Sequence, residues 1–141
     1  MEMEIYDVII IGAGPAGLNC AKQLGGSSLR VLVAERNSVI GPKVCAGGLT
    51  GKSIGHLDLP RQLVAFKYDK IHLFHRGKLF HLQDEEDFIF TVDRKELGQW
   101  QLGQLEKFHN ITVKTDYAVS KITSEYVVVN GNKIGYKHLV G

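Results

Sequence analysis

The chain has few of the residues that mark specialised protein classes. Its 141 residues include only two cysteines, one tryptophan and three prolines. Two cysteines cannot form the disulfide framework of a small secreted domain, so we expect a reducing, cytoplasmic location. The 17 basic and 15 acidic residues nearly balance, which leaves no basic excess for binding nucleic acid. The first apolar run stops at Gly12, so the sequence predicts neither a secretory signal nor a membrane span.

Glycine is the residue in excess, with 16 positions, or about 11% against a usual ~7%. The segment Gly12-Ala13-Gly14-Pro15-Ala16-Gly17 directly follows a β-branched run and opens a helix at Pro15. In that setting the first glycine permits a tight turn and the second lets the backbone approach a pyrophosphate. The third lets helix and strand pack closely. The pattern therefore predicts a dinucleotide whose phosphates lie at the helix N-terminus.

An acidic residue stands where this fingerprint requires one. Glu35 ends the second predicted strand, about 20 residues after Gly12, and its carboxylate can accept hydrogen bonds from ribose hydroxyls. The neighbouring Arg36 would cover the adenine or a phosphate, or is plain surface charge. Spacing alone does not separate NAD from FAD, and a structural glycine turn with a solvent-facing glutamate is the alternative.

The order of elements predicts an α/β fold. A strand, a helix and a strand in about 30 residues form a βαβ unit. Residues 36–63 show no sustained period and predict a long functional loop. Asp93 and Glu96 form a capping box for a helix that presents Leu97, Trp100, Leu105 and Phe108 on one face. The predicted parallel strands are 5–11, 29–35, 111–114 and 137–140, the antiparallel strands are 66–74, 78–82 and 88–91, and a meander with a turn at Asn130-Gly131 covers 117–136.

Two segments resemble one family of flavoproteins. Residues 6–18 are similar to the opening of FAD-dependent oxidoreductases, and Gly41-Pro42-Lys43-Val44-Cys45-Ala46-Gly47-Gly48-Leu49 resembles the Lys-x-Cys-x-Gly-Gly loop of the geranylgeranyl reductase family. Thr91-Val92-Asp93-Arg94 before a helix also matches, and the resemblance covers nearly the whole chain. It implies the p-hydroxybenzoate-hydroxylase type of fold, with a Rossmann-like FAD-binding sheet, a β-meander and the start of an antiparallel substrate domain. We expect residues 1–64 and 92–141 to form the FAD-binding domain and 65–91 to begin the substrate domain.

The resemblance also implies which residues contact FAD. The glycine turn would cradle the pyrophosphate, Glu35 would bind the adenosine ribose, and the main chain of one meander strand would meet the adenine. A loop around Cys45 would lie beside the isoalloxazine, where the thiol shapes the site or assists protonation, or packs as a small apolar residue. The implied contact residues are Gly12, Gly14, Pro15, Ala16, Gly17, Glu35, Arg36, Lys43, Cys45, Ala46, Gly47, Gly48, Arg94, Ala118 and Val119.

In this family, reduced FAD passes a hydride to an isoprenoid double bond, and NADPH or a ferredoxin supplies the electrons. The substrate would be an isoprenoid lipid or pigment, and peripheral membrane contact would come from regions outside this chain. The alternatives are a flavin monooxygenase of the same fold and a nucleotide-binding fragment without activity. We expect the chain to be the N-terminal part of a longer flavoprotein whose next cofactor motif begins near Leu139.

The histidines predict no metal site. His72 and His75 are three apart on a predicted strand and therefore face opposite sides, and His81 belongs to another strand. The acidic run 84–87 predicts a solvated turn, or a docking site for a basic partner. Cys20, in the first helix, is predicted to lie in the core.

Overall fold

A computed structural model describes residues 3–141. Within that range the elements in chain order are β1 (Glu4–Ile11), α1 (Pro15–Leu24), β2 (Val31–Ala34), β3 (Gly48–Thr50), α2 (Gly51–Leu57), a 3-10 turn (Arg61–Leu63), β4 (Val64–Tyr68), β5 (Lys70–His75), β6 (Lys78–Gln83), β7 (Ile89–Val92), α3 (Arg94–Gly103), β8 (Ile111–Lys114), β9 (Val119–Ile122), β10 (Tyr126–Val129) and β11 (Asn132–Val140).

The chain forms two compact units. The first unit comprises Met1–Pro42 and Gly98–Gly141, and the second comprises Lys43–Leu97. The sequence instead places its boundaries at 64/65 and 91/92. The two divisions differ because residues 48–50 pair with β7, which brings the preceding part of the chain into the second unit. The assignment of an FAD-binding domain and a substrate domain stays a prediction.

The first unit contains a six-stranded sheet in the order β8-β2-β1-β11-β10-β9. Four neighbouring strands, β8, β2, β1 and β11, are parallel to one another. Strands β10 and β9 continue the sheet beside β11 with antiparallel pairing. In β1, Ile9 and Ile10 point to opposite faces and are both fully buried, as expected for a parallel strand covered on both sides. Cys20 packs against the buried cluster between α1 and the sheet. The predicted α/β fold is confirmed.

The last strand differs from its predicted form. The sequence indicates a meander strand ending at Tyr136 and a separate parallel strand at 137–140, but β11 is continuous. Its first half pairs antiparallel with β10, and residues 134–140 pair parallel with β1. The two pairings overlap at Ile134 and Gly135, and β11 contains no proline, so the extended backbone continues through both. The turn at Asn130-Gly131 is confirmed, since both residues have positive φ (49° and 80°), as a type I′ hairpin requires.

Helix α3 is shorter than the sequence predicts. The Asp93 carboxylate accepts a hydrogen bond from the N–H of Glu96 (3.0 Å), so the predicted helix cap is confirmed. The helix ends at Gly103, and Leu105 and Phe108 therefore lie outside it. Leu105 is nonetheless buried, and Phe108 fills the space beside Gly25. The prediction that Leu105 and Phe108 lie on one face of this helix was wrong, because the helix ends at Gly103.

The second unit contains a three-stranded antiparallel sheet, β3-β7-β4, and a separate two-stranded hairpin of β5 and β6. The prediction of a structureless segment at 36–63 was wrong, because β3 and α2 lie within it. Helix α2 has seven residues and buries none of them, so it leaves no apolar period to recognise. The predicted strand at 66–74 is two strands, since the chain bends at Asp69. Antiparallel pairing is confirmed in both sheets.

Two histidines on different predicted strands are neighbours in the structure. His72 and His81 are directly opposite each other on β5 and β6, and their rings meet edge to face with centroids 4.6 Å apart. Within residues 3–141, no group of three or more histidine, cysteine, aspartate or glutamate side chains could hold a metal ion. The acidic run at 84–87 is exposed between β6 and β7. Over the same residues, no helix has the length and apolar character needed to cross a membrane.

Candidate functional site

The glycine turn between β1 and α1 has the backbone that its sequence predicts. Gly12 has φ of 100°, a conformation that side chains rarely allow, and its N–H donates to the carbonyl of Ala34 (2.8 Å). Gly14 is extended and precedes the first helical residue, Pro15. A Cβ on Gly17 would lie well under 3.0 Å from the carbonyl oxygen of Gly12. The third glycine therefore lets α1 approach the turn, as predicted from the motif.

The space in front of this turn is open and suited to an anion. A Cβ on Gly12 or Gly14 would meet no atom within 4 Å. The first-turn N–H groups of a helix have no intrahelical acceptors, and α1 has neither a capping side chain nor an acidic residue there. The adjoining cavity of about 250 Å³ is lined by Ile11, Gly12, Ala34, Glu35 and Arg36. A phosphate group at the end of α1 would be favoured by these donors and by the helix dipole.

Glu35 has a structural role that sequence reasoning missed. The residue as a whole is only 8% exposed. One carboxylate oxygen accepts the N–H of Ala13 and the other accepts the N–H of Asn37, each at 2.8 Å. The side chain therefore ties the end of β2 to the glycine turn, and each oxygen keeps a lone pair for a further donor such as a ribose hydroxyl. The signal in the sequence that could have predicted this role is an acidic residue at the end of the strand next to the glycine turn, because the N–H groups of that turn need acceptors.

The predicted adenine-side residues lie on the same unit as the turn. Arg36 is exposed beside the cavity. The N–H of Tyr117 donates to the carbonyl of Glu35 (2.8 Å), which fixes the chain that leads into Ala118 and Val119. Ala118 is exposed and Val119 is half-buried at the start of β9. These backbone contacts connect the predicted adenine strand with Glu35.

The remaining predicted site residues belong to the second unit. Gly47 has φ of 72°, and its carbonyl accepts the N–H of Val92 (3.0 Å), which fixes the loop against β7. The Cys45 Sγ accepts the N–H of Gly47 (3.4 Å), and the side chain of Cys45 is exposed. Lys43, Ala46 and Gly48 are also exposed, and the Nε of Arg94 is buried without a hydrogen-bond partner among the described residues.

The surroundings of Cys45 favour its thiolate form. The Gly47 N–H, followed by the nearby Arg94 guanidinium and the charge of Lys43, lowers the pKa of the Cys45 thiol below its usual range. An exposed thiol does not have the packing role of a buried apolar residue. Whether the thiol assists protonation of a substrate stays a prediction.

This arrangement predicts an unusually reactive cysteine. In a Cys20→Ser background, Cys45 will react with iodoacetamide at neutral pH several-fold faster than an ordinary exposed cysteine, because more of it is thiolate. Arg94→Met will move the midpoint of the rate-against-pH curve to higher pH, whereas Lys95→Met, at an exposed neighbour in α3, will not. Alkylation followed by mass spectrometry measures both. An unchanged midpoint in Arg94→Met would contradict the proposed effect of Arg94.

Comparison with known proteins gives the family. Residues 6–140 match the family described as pyridine nucleotide-disulphide oxidoreductase. The chain belongs to this oxidoreductase family. The match includes the glycine turn, Glu35 and the whole six-stranded sheet apart from the first two residues of β1.

Individual relatives confirm the resemblance to geranylgeranyl reductases. A geranylgeranyl diphosphate reductase of Rhodobacter capsulatus is 28% identical over 96 residues, and a digeranylgeranylglycerophospholipid reductase of Methanopyrus kandleri is 38% identical over 99 residues. Each alignment covers 67% of this chain and 24% of the relative. A thiamine thiazole synthase of Methanococcus maripaludis is 36% identical over 97 residues, 69% of this chain and 34% of that protein. The chain thus spans about a quarter to a third of the length that these relatives have.

Solved structures share the fold. A geranylgeranyl bacteriochlorophyll reductase-like protein from Thermoplasma acidophilum has a TM-score of 0.76 at 20% identity, over 97% of this chain and 38% of that one. The p-nitrophenol 4-monooxygenase of Pseudomonas putida has a TM-score of 0.70 at 19% identity, over 96% and 40%. Both likenesses support the fold class and neither selects a reaction.

Proposed function

We propose that this chain supplies the adenosine and pyrophosphate part of an FAD site in an oxidoreductase. The observation that carries the proposal is the glycine turn, which presents free helix N–H groups and open space and is held in place by Glu35. Binding of a dinucleotide needs both the free N–H groups and the open space. Its phosphates bind to the protein backbone and must come closer to it than a side chain would allow. Family membership in the oxidoreductases agrees with this use of the turn.

Each predicted FAD-contact residue of the first unit then has a defined task. The N–H groups at the start of α1 bind the pyrophosphate, with Pro15 and Ala16 holding the first turn in helical form. The remaining lone pairs of Glu35 accept hydrogen bonds from the ribose. The main chain at Ala118 and Val119 contacts the adenine, and Arg36 covers the adenine or a phosphate.

The loop of the second unit is proposed to lie beside the isoalloxazine. This placement rests on its resemblance to the Lys-x-Cys-x-Gly-Gly loop and involves Lys43, Cys45, Ala46, Gly47 and Gly48, with Arg94 as a further FAD contact. When bound, FAD supplies hydride chemistry that no side chain can provide. The protein's part is to position the ring, and the local contribution of this loop is a cationic surrounding that lowers the pKa of the Cys45 thiol.

For the full-length protein we propose reduction of an isoprenoid double bond, with NADPH or a ferredoxin as the source of electrons. The names of two relatives support an isoprenoid substrate. Oxygen-dependent hydroxylation is the second candidate, because a monooxygenase shares the fold. A cytoplasmic location stays a prediction.

The two reactions are distinguished by their need for oxygen. Full-length protein loaded with FAD and reduced by dithionite is mixed with geranylgeranyl diphosphate without oxygen. We expect the flavin to return to its oxidised spectrum while the lipid gains a pair of hydrogen atoms, measured by mass spectrometry. The reductase proposal fails if the flavin stays reduced until oxygen is admitted, and hydroxylation of an added aromatic compound would then support the monooxygenase.

A further inference from the structure

Two buried polar side chains hydrogen-bond to the glycine turn of the first unit. Among residues 3–141, Glu35 and Gln101 are the buried residues that carry a charged or an amide side chain. Glu35 accepts the N–H of Ala13 (2.8 Å), and the Nε2 of Gln101 donates to the carbonyl of Pro15 (3.2 Å). Such side chains are seldom buried, because burial removes their hydration. That both contact one turn indicates that its conformation has to be fixed.

Gly14 lies between the two positions that these side chains hold. A glycine has more backbone freedom than any other residue, so its conformation depends on its surroundings. Helix α1 has no capping side chain, and Pro15 has no N–H group. The N–H of Leu18 donates to the carbonyl of Gly14 (2.9 Å). The free donors of the first helical turn are therefore the N–H groups of Ala16 and Gly17, and their direction depends on the backbone just before them.

Gln101 reaches the turn from a distant part of the chain. It lies in α3, 86 positions after Pro15, and is only 4% exposed. Its Oε1 is buried without a hydrogen-bond partner among the described residues. An unsatisfied buried acceptor costs at least as much as one hydrogen bond contributes. Gln101 therefore adds little to the stability of the fold, and an apolar side chain of similar length would fill the same space.

We propose that Gln101 is a positioning residue for the phosphate-binding turn. Gln101 holds Pro15 while Glu35 holds Ala13, so the backbone at Gly14 is fixed from both sides. The free N–H groups of α1 then have their binding direction before a ligand arrives. Preorganisation of this kind raises affinity, because less freedom is lost on binding. The inference rests on the proposed dinucleotide site and adds a residue that the glycine motif and its acidic partner do not include.

The effect on the turn itself is measured without any ligand. Gln101→Met removes the donor and keeps a side chain of similar length. In hydrogen exchange followed by NMR, we expect the amide of Leu18 to exchange about fivefold faster, because one hydrogen bond to the turn is lost. The melting temperature should be unchanged or slightly higher. Gln99→Met is the matched control, since Gln99 donates from the same helix to the carbonyl of Ile40 (2.7 Å), and it should leave the exchange of Leu18 unchanged.

The effect on binding is measured by NMR titration with ADP and with adenosine, which lacks the phosphates. We expect Gln101→Met to weaken ADP binding about fivefold and adenosine binding not at all, whereas Glu35→Ala weakens both and Gln99→Met neither.

The proposal is overturned if Gln101→Met leaves either the exchange of Leu18 or the ADP affinity unchanged, if ADP and adenosine binding weaken equally, or if the melting temperature falls markedly. An unmodified chain that binds no ADP would instead refute the proposed function, and the exchange of Leu18 would still decide whether Gln101 holds the turn.

Discussion

Gly17→Ala will destabilise the first unit and abolish FAD binding. The new Cβ would lie well under 3.0 Å from the backbone oxygen of Gly12 and 3.2 Å from its carbonyl carbon, and 3.3 Å from a methyl group of Ile10. Backbone atoms in a hydrogen-bonded turn cannot rotate aside as a flexible side chain can. Overpacking of this kind costs about 1–3 kcal/mol of unfolding free energy or more. Thermal unfolding followed by circular dichroism measures the loss, and titration calorimetry with FAD measures the binding.

Gly14→Ala is the informative counterpart of that substitution. Its Cβ would meet no atom within 4 Å, and the extended backbone of Gly14 suits any residue. We expect nearly unchanged stability together with weaker FAD binding, because the methyl group would occupy space needed by the pyrophosphate. Equal FAD affinity in Gly14→Ala and the unmodified chain would contradict phosphate binding at the turn. Unchanged stability of Gly17→Ala would contradict the close approach of α1.

Glu35→Ala will lower stability even without any nucleotide. The carboxylate accepts the N–H groups of Ala13 and Asn37, so its removal leaves two donors without their acceptor in a mostly buried region. An unsatisfied buried donor costs about 1–3 kcal/mol. FAD affinity should fall more than tenfold, since the turn loses its support and the ribose loses its acceptor. Thermal unfolding of the nucleotide-free chain and calorimetry with FAD separate the two effects.

A conservative change at the same position refines this prediction. Glu35→Gln keeps the shape but replaces one accepting oxygen by a donating NH2 group, so one of the two backbone N–H groups will lack its acceptor. We expect a stability between those of the unmodified chain and Glu35→Ala. Glu106→Gln, at an exposed position of the same unit, serves as the control and should have little effect. Full stability of Glu35→Ala would show that the carboxylate does not support the turn.

The features that the sequence predicted well are those encoded by neighbouring residues. The glycine turn depends on the order strand, glycines, helix, and all of these lie within residues 4–24. The turn at Asn130-Gly131 and the cap at Asp93 are equally local, and both are confirmed. In each case the backbone geometry follows from the residues that adopt it, so no knowledge of distant contacts is needed.

The features that the sequence did not predict depend on contacts between distant residues. Glu35 was expected to serve the ribose, but its hydrogen bond to Ala13 exists only because β2 and the turn meet in the sheet. Helix α2 is too short and too exposed to leave a periodic signal. The environment of Cys45 depends on Arg94, which lies almost 50 positions away and approaches the thiol only because Gly47 is fixed against β7. Such relationships follow from the tertiary fold.

The proposed FAD site is tested most directly by calorimetric titration of the purified chain with FAD, with ADP as a competitor. ADP shares the adenosine and pyrophosphate groups that the glycine turn and Glu35 are proposed to bind. We predict one FAD per chain, competition by ADP, and loss of both in Gly17→Ala. The account would be contradicted if the folded chain binds neither ligand, or if FAD binds with unchanged affinity when Gly14 and Glu35 are replaced.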